Sequence, residues 1–267
     1  MGNLMTLQTM PRVNIERIVN SVDKKNYYVF NTSTGYANYS QRNSKYEYVY
    51  KNYKTNWASF CNVHMMAMGL IYTGTYDRYK SEIDAKYPEL TRFPDKLAKF
   101  ILEDKEVRDY YKRRFPGISK DFFEGKKSAY GPNEIHNVLS YGTNRFLDLG
   151  TVTYFSTCTS WKEIMYDLIY RGCPVGISGK FSGLNHIVLL VGCAYANLEG
   201  GTVPGPNQVP DYLIIDDPYG KTYEYNKGLS GNDIWIPFSK CVDDFKALEC
   251  AQFKYAHRFI KPTDLGF

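Results

Sequence analysis

Cys61 has a position in the sequence that could make it a nucleophile. It follows a short turn, residues 56–60, and opens the apolar segment 61–72, which has helical character and ends before Gly74. We therefore expect Cys61 at the N-terminus of a buried helix that runs to about Tyr72. The partial positive charge of a helix N-terminus favours the thiolate, the form of cysteine that attacks carbonyl carbon. The alternative interpretation is a small core cysteine, the commoner role of an isolated Cys.

His186 and Asp217 could supply a base and the group that orients it. His186 precedes a strongly apolar strand and Asp217 follows the next one, with a Gly- and Pro-rich loop, residues 197–210, between the two strands. If these strands are antiparallel neighbours, the end of one lies beside the start of the other. His186 and Asp217 are then adjacent, and Cys61 can reach the same imidazole. That arrangement of nucleophile, base and orienting carboxylate supports nucleophilic attack on an amide.

Two nearby residues compete for these roles. Asp216 could orient His186 in place of Asp217, but alternation along a strand turns its side chain to the opposite face, so we predict Asp217. His64 lies one helical turn beyond Cys61 and could approach the same site. We favour a packing or substrate-contact role for His64, because His186 already has a strand position and a carboxylate partner.

Several motifs in the chain match those of one enzyme family. They are Tyr-Ser-Gln-Arg at 39–42, Cys-Asn-Val at 61–63 with Ala-Met at 67–68, His-Ile-Val-Leu-Leu-Val-Gly at 186–192, Ile-Asp-Asp-Pro at 215–218 and Gly-Cys-Pro-Val at 172–175. In this order they resemble the papain-like cysteine peptidases of the bacteriocin-processing (double-glycine leader peptidase) type, and most closely the free-standing bacterial and phage branch. The resemblance covers roughly residues 36–260, with the segment 75–128 outside it. Many relatives have Cys-Gly-Pro where this chain has Cys-Asn-Val.

The resemblance implies a papain-like α+β fold, with an N-terminal nucleophile helix packed on an antiparallel β-sheet. It also implies that Cys61 is the nucleophile, His186 the general base and acid, and Asp217 the orienting carboxylate. Gln41 is implied to donate its side-chain amide to the oxyanion, beside the backbone N–H of Cys61. Asn56 competes with Gln41 for that oxyanion role, and the Ser-Gln-Arg context favours Gln41.

The activity implied is hydrolysis of an amide bond by a cysteine peptidase that needs no metal and no cofactor. For a free-standing member we expect a peptidoglycan-degrading endopeptidase or amidase, acting as a phage endolysin or a virion-associated lysin. The partners we expect are a peptide or peptidoglycan stem-peptide substrate and virion or tail proteins. Two other functions fit the same residues: acyl transfer of the transglutaminase-like kind, and a non-catalytic structural or binding virion protein on a peptidase fold.

Composition excludes several other classes. The net charge of +5 is too small to indicate a nucleic-acid partner. The six cysteines have no C-x-x-C spacing and the four histidines are scattered, so we expect no zinc site and reduced thiols. The first residues lack the apolar segment of a secretory signal, and no stretch reaches transmembrane length. We expect synthesis in the cytoplasm without a signal peptide and action at the bacterial cell wall, after release or as part of a virion.

The rest of the chain supplies the elements that must position these residues. We expect an N-terminal arm at 1–35 with a short helical pattern at 13–19, and a peptidase domain at 36–267 with a helical insertion at about 75–128. Predicted strands cover 27–30, 146–154, 174–178, 187–195, 212–215 and 251–260, the last closing the sheet. One further helix opens at 131–134 and ends near Gly142, and another begins after a Ser160 cap and stops at Gly172.

The remaining histidines and cysteines are predicted to be structural. His136 and His257 have no catalytic partner in the sequence pattern. The other cysteines lie in or beside apolar segments and are predicted to be core residues: Cys158, Cys173, Cys193, Cys241 and Cys250.

Overall fold

The structure, a computed structural model, describes residues 15–21, 23–32, 48–50, 53–55, 61–116, 132–156, 160–179, 186–198, 203–205, 208–219, 231–240 and 256–266. Its strands are β1 (Ile15–Val19), β2 (Asn26–Asn31), β3 (Tyr48–Tyr50), β4 (Tyr53–Thr55), β5 (Thr153–Ser156), β6 (Val175–Gly179), β7 (His186–Tyr195), β8 (Tyr212–Asp216), β9 (Ile234–Pro237) and β10 (Ala256–Phe259). Its helices are α1 (Cys61–Tyr72), α2 (Thr75–Arg78), α3 (Lys80–Ala85), α4 (Phe93–Glu103), α5 (Lys105–Arg114), α6 (Pro132–Leu147) and α7 (Trp161–Tyr166). A π-helical turn, Asp167–Arg171, continues α7, and a 3-10 turn, Pro262–Asp264, follows β10.

Strand β7 is the centre of an eight-stranded sheet in which every described pair is antiparallel. On one side β6 pairs with its first half and β2 with its second half, and on the other side β8 pairs with it. Beyond these neighbours lie β1 next to β2, β9 next to β8, and β10 and β5 next to β6. The predicted α+β class and the predicted pairing of β7 with β8 are therefore confirmed.

Apolar residues cover both faces of this sheet. On one face α1, α4, α5 and α6 form one core with side chains from β7, among them Ile187, Leu189 and Val191. On the other face α7 and the π-helical turn pack against Val188 and Leu190 of the same strand. Alternation along β7 thus divides its side chains between two cores. The strand that begins with His186 is held from both sides, so its first residue has a rigid backbone.

Helix α1 lies against β7 and is buried along its length. Its residues from Val63 to Tyr72 are buried, so the polar face typical of a surface helix is missing. Gly69 lets the ring of Phe259 in β10 approach α1 closely, because a Cβ there would lie within 2.5 Å of ring atoms of Phe259. The predicted helix 61–72, which places Cys61 at its first position, is confirmed.

The local signals around α7 also act as predicted. The Ser160 hydroxyl accepts from the N–H of Glu163, and the Glu163 carboxylate accepts from the N–H of Ser160, which is a complete capping box. Gly172 ends the π-helical turn with φ 60, a left-handed conformation that favours glycine. The cap and the stop fix where the helical segment begins and ends, and β6, which pairs with β7, follows it.

The predicted boundaries are wrong for the helix that opens at 131–134 and for the strand at 146–154. Helix α6 does not stop near Gly142 but runs to Leu147, and β5 begins only at Thr153. Gly142 is a contact point between helices, since a Cβ there would lie 2.8 Å from a side-chain carbon of Ile101. A glycine selected for close packing therefore resembles a helix stop in the sequence.

Two further predictions fail near the ends of the chain. The pattern at 13–19 predicts a short helix, but Ile15–Val19 is a strand paired with β2, because sheet pairing overrides a weak local pattern. The last strand does not close the sheet: β10 lies between β6 and β5. Within the segment predicted to be an N-terminal arm, Ile15–Val19 and Asn26–Asn31 belong to the main sheet. Helices α2–α5 lie within the predicted insertion, of which residues 75–116 are described.

Candidate active site

The register of β7 and β8 brings the predicted site residues to one end of the sheet. Leu189 of β7 lies opposite Asp216 of β8, so the start of β7 meets the residues that follow β8. His186 is the first residue of β7, and Asp217 is the first residue after β8. The N-terminus of α1 reaches the same end, because Cys61 is hydrogen-bonded to His186. Sequence reasoning thus predicted three residues that the structure brings into contact.

The imidazole of His186 connects the other two side chains. Its Nε2 lies 2.7 Å from Oδ1 of Asp217, and the His186 and Asp217 side chains are 9% and 0% exposed. An imidazole has two ring nitrogens, so the hydrogen bond to Cys61 falls to Nδ1. The ring therefore has one nitrogen toward the carboxylate and one toward sulfur, and both directions are fixed by partners from different elements.

The environment of the thiol favours its ionised form. Burial alone would raise the pKa of Cys61, but the hydrogen bond and the charge of His186 outweigh it, and the backbone N–H groups of Ile187 and Asn62 add to their effect. The net result is a lowered pKa for the thiol. The Asn62 N–H belongs to the first turn of α1, where free amides and the helix dipole both stabilise an anion.

The pKa of His186 moves in the complementary direction. Burial lowers it, but the hydrogen bonds from the ring to Asp217 and Cys61, together with their charges, raise it to about 10. The lowered pKa of the thiol and the raised pKa of the imidazole have a common cause, the contact between the two groups. Both shifts act in the direction of a thiolate beside an imidazolium.

Asp217 is held by contacts that sequence reasoning did not identify. Its Oδ1 accepts from the N–H of Tyr219 at 2.8 Å as well as from His186, and its own N–H donates to the carbonyl of Gly231 at 2.7 Å. The ring of Tyr219 lies edge-on to the imidazole, with 6.0 Å between ring centroids. Asp217 and Pro218 open the turn that places Tyr219 beside the imidazole. In the sequence, only the order Asp-Pro-Tyr at 217–219 could have indicated this contact.

Among the described hydrogen bonds, none joins Asp216 to His186. The Asp216 side chain points away from that of Asp217, toward Tyr72 of α1. Its Oδ2 accepts from the hydroxyl of Tyr72 at 2.5 Å, and its Oδ1 accepts from the N–H of Asp233 at 2.7 Å. Burial raises the pKa of Asp216 to about 7, although both of these donors lower it. The predicted alternation of Asp216 and Asp217 is confirmed.

The other predicted participants have different outcomes. Gln41 and Asn56, the two candidates for the oxyanion role, lie outside the described residues. His64 is fully buried in α1, one turn after Cys61. Of the remaining cysteines, Cys173 and Cys193 are free and buried, as predicted, and burial raises the pKa of both. Outside the described residues lie Cys158, Cys241 and Cys250.

A second group of polar side chains is buried between α6 and β10. Nδ1 of His136 contacts Nε2 of His257, and Nδ1 of His257 lies 3.2 Å from the hydroxyl of Ser140. Burial lowers the pKa of His136 to about 3 and that of His257 well below its usual value, so both rings stay neutral. A chain of neutral partners inside the core agrees with the structural role predicted for both histidines.

No group of three or more His, Cys, Asp or Glu side chains that could hold a metal ion occurs among the described residues. In the same part of the chain, every helix is too short or too polar to span a membrane. No family model, no curated protein and no solved structure matches the chain.

Proposed function

We propose that the chain is a cysteine peptidase that hydrolyses amide bonds through Cys61, His186 and Asp217. The observation that carries the proposal is the thiol at the first position of α1, hydrogen-bonded to an imidazole whose other nitrogen lies 2.7 Å from a buried carboxylate. The lowered pKa of the thiol favours the attacking thiolate, and the raised pKa of the imidazole favours the imidazolium whose proton the leaving group needs.

In the proposed reaction the Cys61 thiolate attacks the carbonyl carbon of the scissile amide, forming a C–S bond. The tetrahedral intermediate collapses as the C–N bond breaks, and the imidazolium of His186 gives its proton to the departing amine. The product of this half-reaction is a thioester on Cys61, with a neutral imidazole beside it. Asp217 keeps the ring oriented and stabilises its charged form.

In the second half-reaction, neutral His186 takes a proton from water, which attacks the thioester carbonyl. The C–S bond breaks, the acid product leaves, and the thiolate–imidazolium pair is restored. The oxyanion of each tetrahedral intermediate needs donors, and we propose the backbone N–H of Cys61 with the side-chain amide of Gln41, or that of Asn56. One such donor is typically worth about 3 kcal/mol.

The substrate we propose is a peptide cross-link or stem peptide of bacterial peptidoglycan. This part of the proposal follows from the resemblance of the sequence motifs to free-standing peptidases of bacteria and phages. It makes the chain an endopeptidase or amidase that acts as an endolysin or a virion-associated lysin.

A zymogram on purified bacterial walls tests the proposal. The wild type and Cys193→Ala, which removes a buried cysteine from the opposite core, should clear the walls, whereas Cys61→Ala should lose at least about three orders of magnitude in rate. Equal clearing by wild type and Cys61→Ala would contradict the proposal. Mass spectrometry of released fragments adds a second criterion, because amine-bearing products would indicate acyl transfer, whereas binding without release would indicate a non-catalytic wall protein.

A further inference from the structure

Asp216 is a buried carboxyl that joins two separate parts of the fold through its hydrogen bonds. Both of its oxygens accept a hydrogen bond, one from the side chain of Tyr72 and one from the backbone of Asp233, and the residue is fully buried. The two donors come from parts of the fold far apart in sequence. Tyr72 ends α1, and Asp233 lies in the turn before β9. We call the group Tyr72, Asp216 and Asp233 the carboxyl clamp.

The clamp connects the helix that carries Cys61 to the backbone that presents Asp217. Tyr72 is the last residue of the helix whose first residue is Cys61, and eleven steps of helical rise separate the two by about 16 Å. Because a helix is stiff along its axis, fixing its last residue against β8 also fixes how far its first residue extends toward His186. Asp216 in turn is the neighbour of Asp217, so the other end of the clamp fixes the backbone that presents the orienting carboxylate.

The turn on the far side of the clamp is itself held in place. Asp233 has φ 49, a left-handed conformation that non-glycine residues rarely adopt, and Gly231 has φ 91. The Asp233 carboxylate accepts from the side-chain amides of Asn31 and Asn232 at 2.8 Å each. The Gly231 carbonyl accepts from the N–H of Asp217. Side-chain contacts therefore stabilise an unfavourable backbone that supplies one donor to Asp216 and one acceptor to Asp217.

We infer that Asp216 is a positioning residue, which through Tyr72 and Asp233 sets the distance between the Cys61 thiol and the His186–Asp217 pair. This inference rests on the proposed function. If the clamp is lost, the contact between the Cys61 thiolate and the His186 imidazolium should lengthen, although both residues are still present. The thiol pKa should then rise, because the charge of His186 acts on sulfur over a longer distance while the burial of sulfur remains.

The test is the pH profile of Cys61 alkylation by iodoacetamide on the full chain, followed by peptide mass spectrometry. Asp216→Ala and Tyr72→Phe should move the inflection of the profile up by about one pH unit, so that labelling below it is about tenfold slower. Asp216→Asn should keep the wild-type profile, because its side-chain oxygen still accepts from Asp233 and its amide can donate to the Tyr72 oxygen.

A matched control exists at the other end of β7. The Tyr27 hydroxyl donates to Asp23 at 2.5 Å, the same bond as that of Tyr72 to Asp216, but on β2 beside the last residues of β7. Tyr27→Phe should lower the free energy of unfolding and leave the alkylation profile unchanged. If Asp216→Ala fails to fold, as judged by circular dichroism, Tyr72→Phe decides alone, because it removes only one hydroxyl.

The outcomes separate the two proposals. A wild-type profile that depends on His186, combined with unchanged profiles for Tyr72→Phe and Asp216→Ala, overturns the positioning role and leaves the peptidase proposal standing. A wild-type profile with no dependence on His186 overturns both. A shift in the clamp variants that Asp216→Asn does not show, with none in Tyr27→Phe, supports the positioning role.

Discussion

Asp216→Asn should make the protein more stable at neutral pH, and the size of the gain follows from burial. The folded protein raises the pKa of this carboxyl from 3.8 to about 7, chiefly by burial, while Tyr72 and the Asp233 N–H lower it and the charges of Asp233 and Asp217 raise it. Because the folded state holds the proton more tightly than the unfolded chain, this carboxyl favours folding at acid pH. Its contribution is lost as the pH rises from about 4 to about 7.

The magnitude is the pKa difference multiplied by about 1.4 kcal/mol per unit, which gives about 4 kcal/mol at neutral pH. Asn has no proton to lose and can keep both hydrogen bonds, so it removes this pH-dependent term. The assay is urea unfolding of wild type and Asp216→Asn from about pH 4 to about pH 8. The difference in unfolding free energy between variant and wild type should grow by about 4 kcal/mol over that range.

Two parallel curves would refute the reasoning, since they would mean that the Asp216 carboxyl titrates alike in the folded and unfolded chain. Asp109→Asn is the control. On the surface of α5, Lys105 lowers the pKa of Asp109, so this substitution should act in the opposite sense, and weakly, because solvent screens the pair. A control that matched Asp216→Asn would also count against the burial argument.

Three further substitutions have measurable outcomes. His186→Ala leaves burial as the main influence on the Cys61 thiol, so its pKa should rise and iodoacetamide labelling near neutral pH should fall; undiminished labelling would contradict this. Ser160→Ala removes the N-cap of α7 and should lower the unfolding free energy in urea by about 1 kcal/mol, whereas an unchanged midpoint would mean that the cap contributes nothing. Gly192→Ala would put a Cβ 2.2 Å from the backbone oxygen of Phe30, and we expect a loss of about 3 kcal/mol in thermal unfolding; near-wild-type stability would show that β2 can move away.

Much of the candidate site could be predicted because its residues lie where local patterns are strongest. Cys61 opens a long apolar helix, and His186 and Asp217 flank two apolar strands that a Gly- and Pro-rich loop connects. Each of these positions is a boundary between an apolar element and a polar turn, and such boundaries are visible in sequence. The antiparallel pairing then required only that consecutive strands be neighbours, which is the common case.

The supporting contacts could not be predicted, for a physical reason. The hydrogen bond from Tyr72 to Asp216 joins residues 144 positions apart, and nothing in the sequence around either residue indicates the other. The failure at Gly142 has the same origin, because its close contact with Ile101 comes from packing between helices. Periodicity describes one element at a time, whereas these features exist only between elements.

The contact between Cys61 and His186 has a consequence for the life of the chain during synthesis. The first helix emerges long before the strand that begins with His186, and pairing across such a separation forms late in folding. Until then, the sulfur of Cys61 lacks the imidazole whose hydrogen bond and charge lower its pKa in the folded protein. A half-folded molecule thus carries a thiol without its activating partner, and the peptidase activity that we propose would arise only once the sheet is complete.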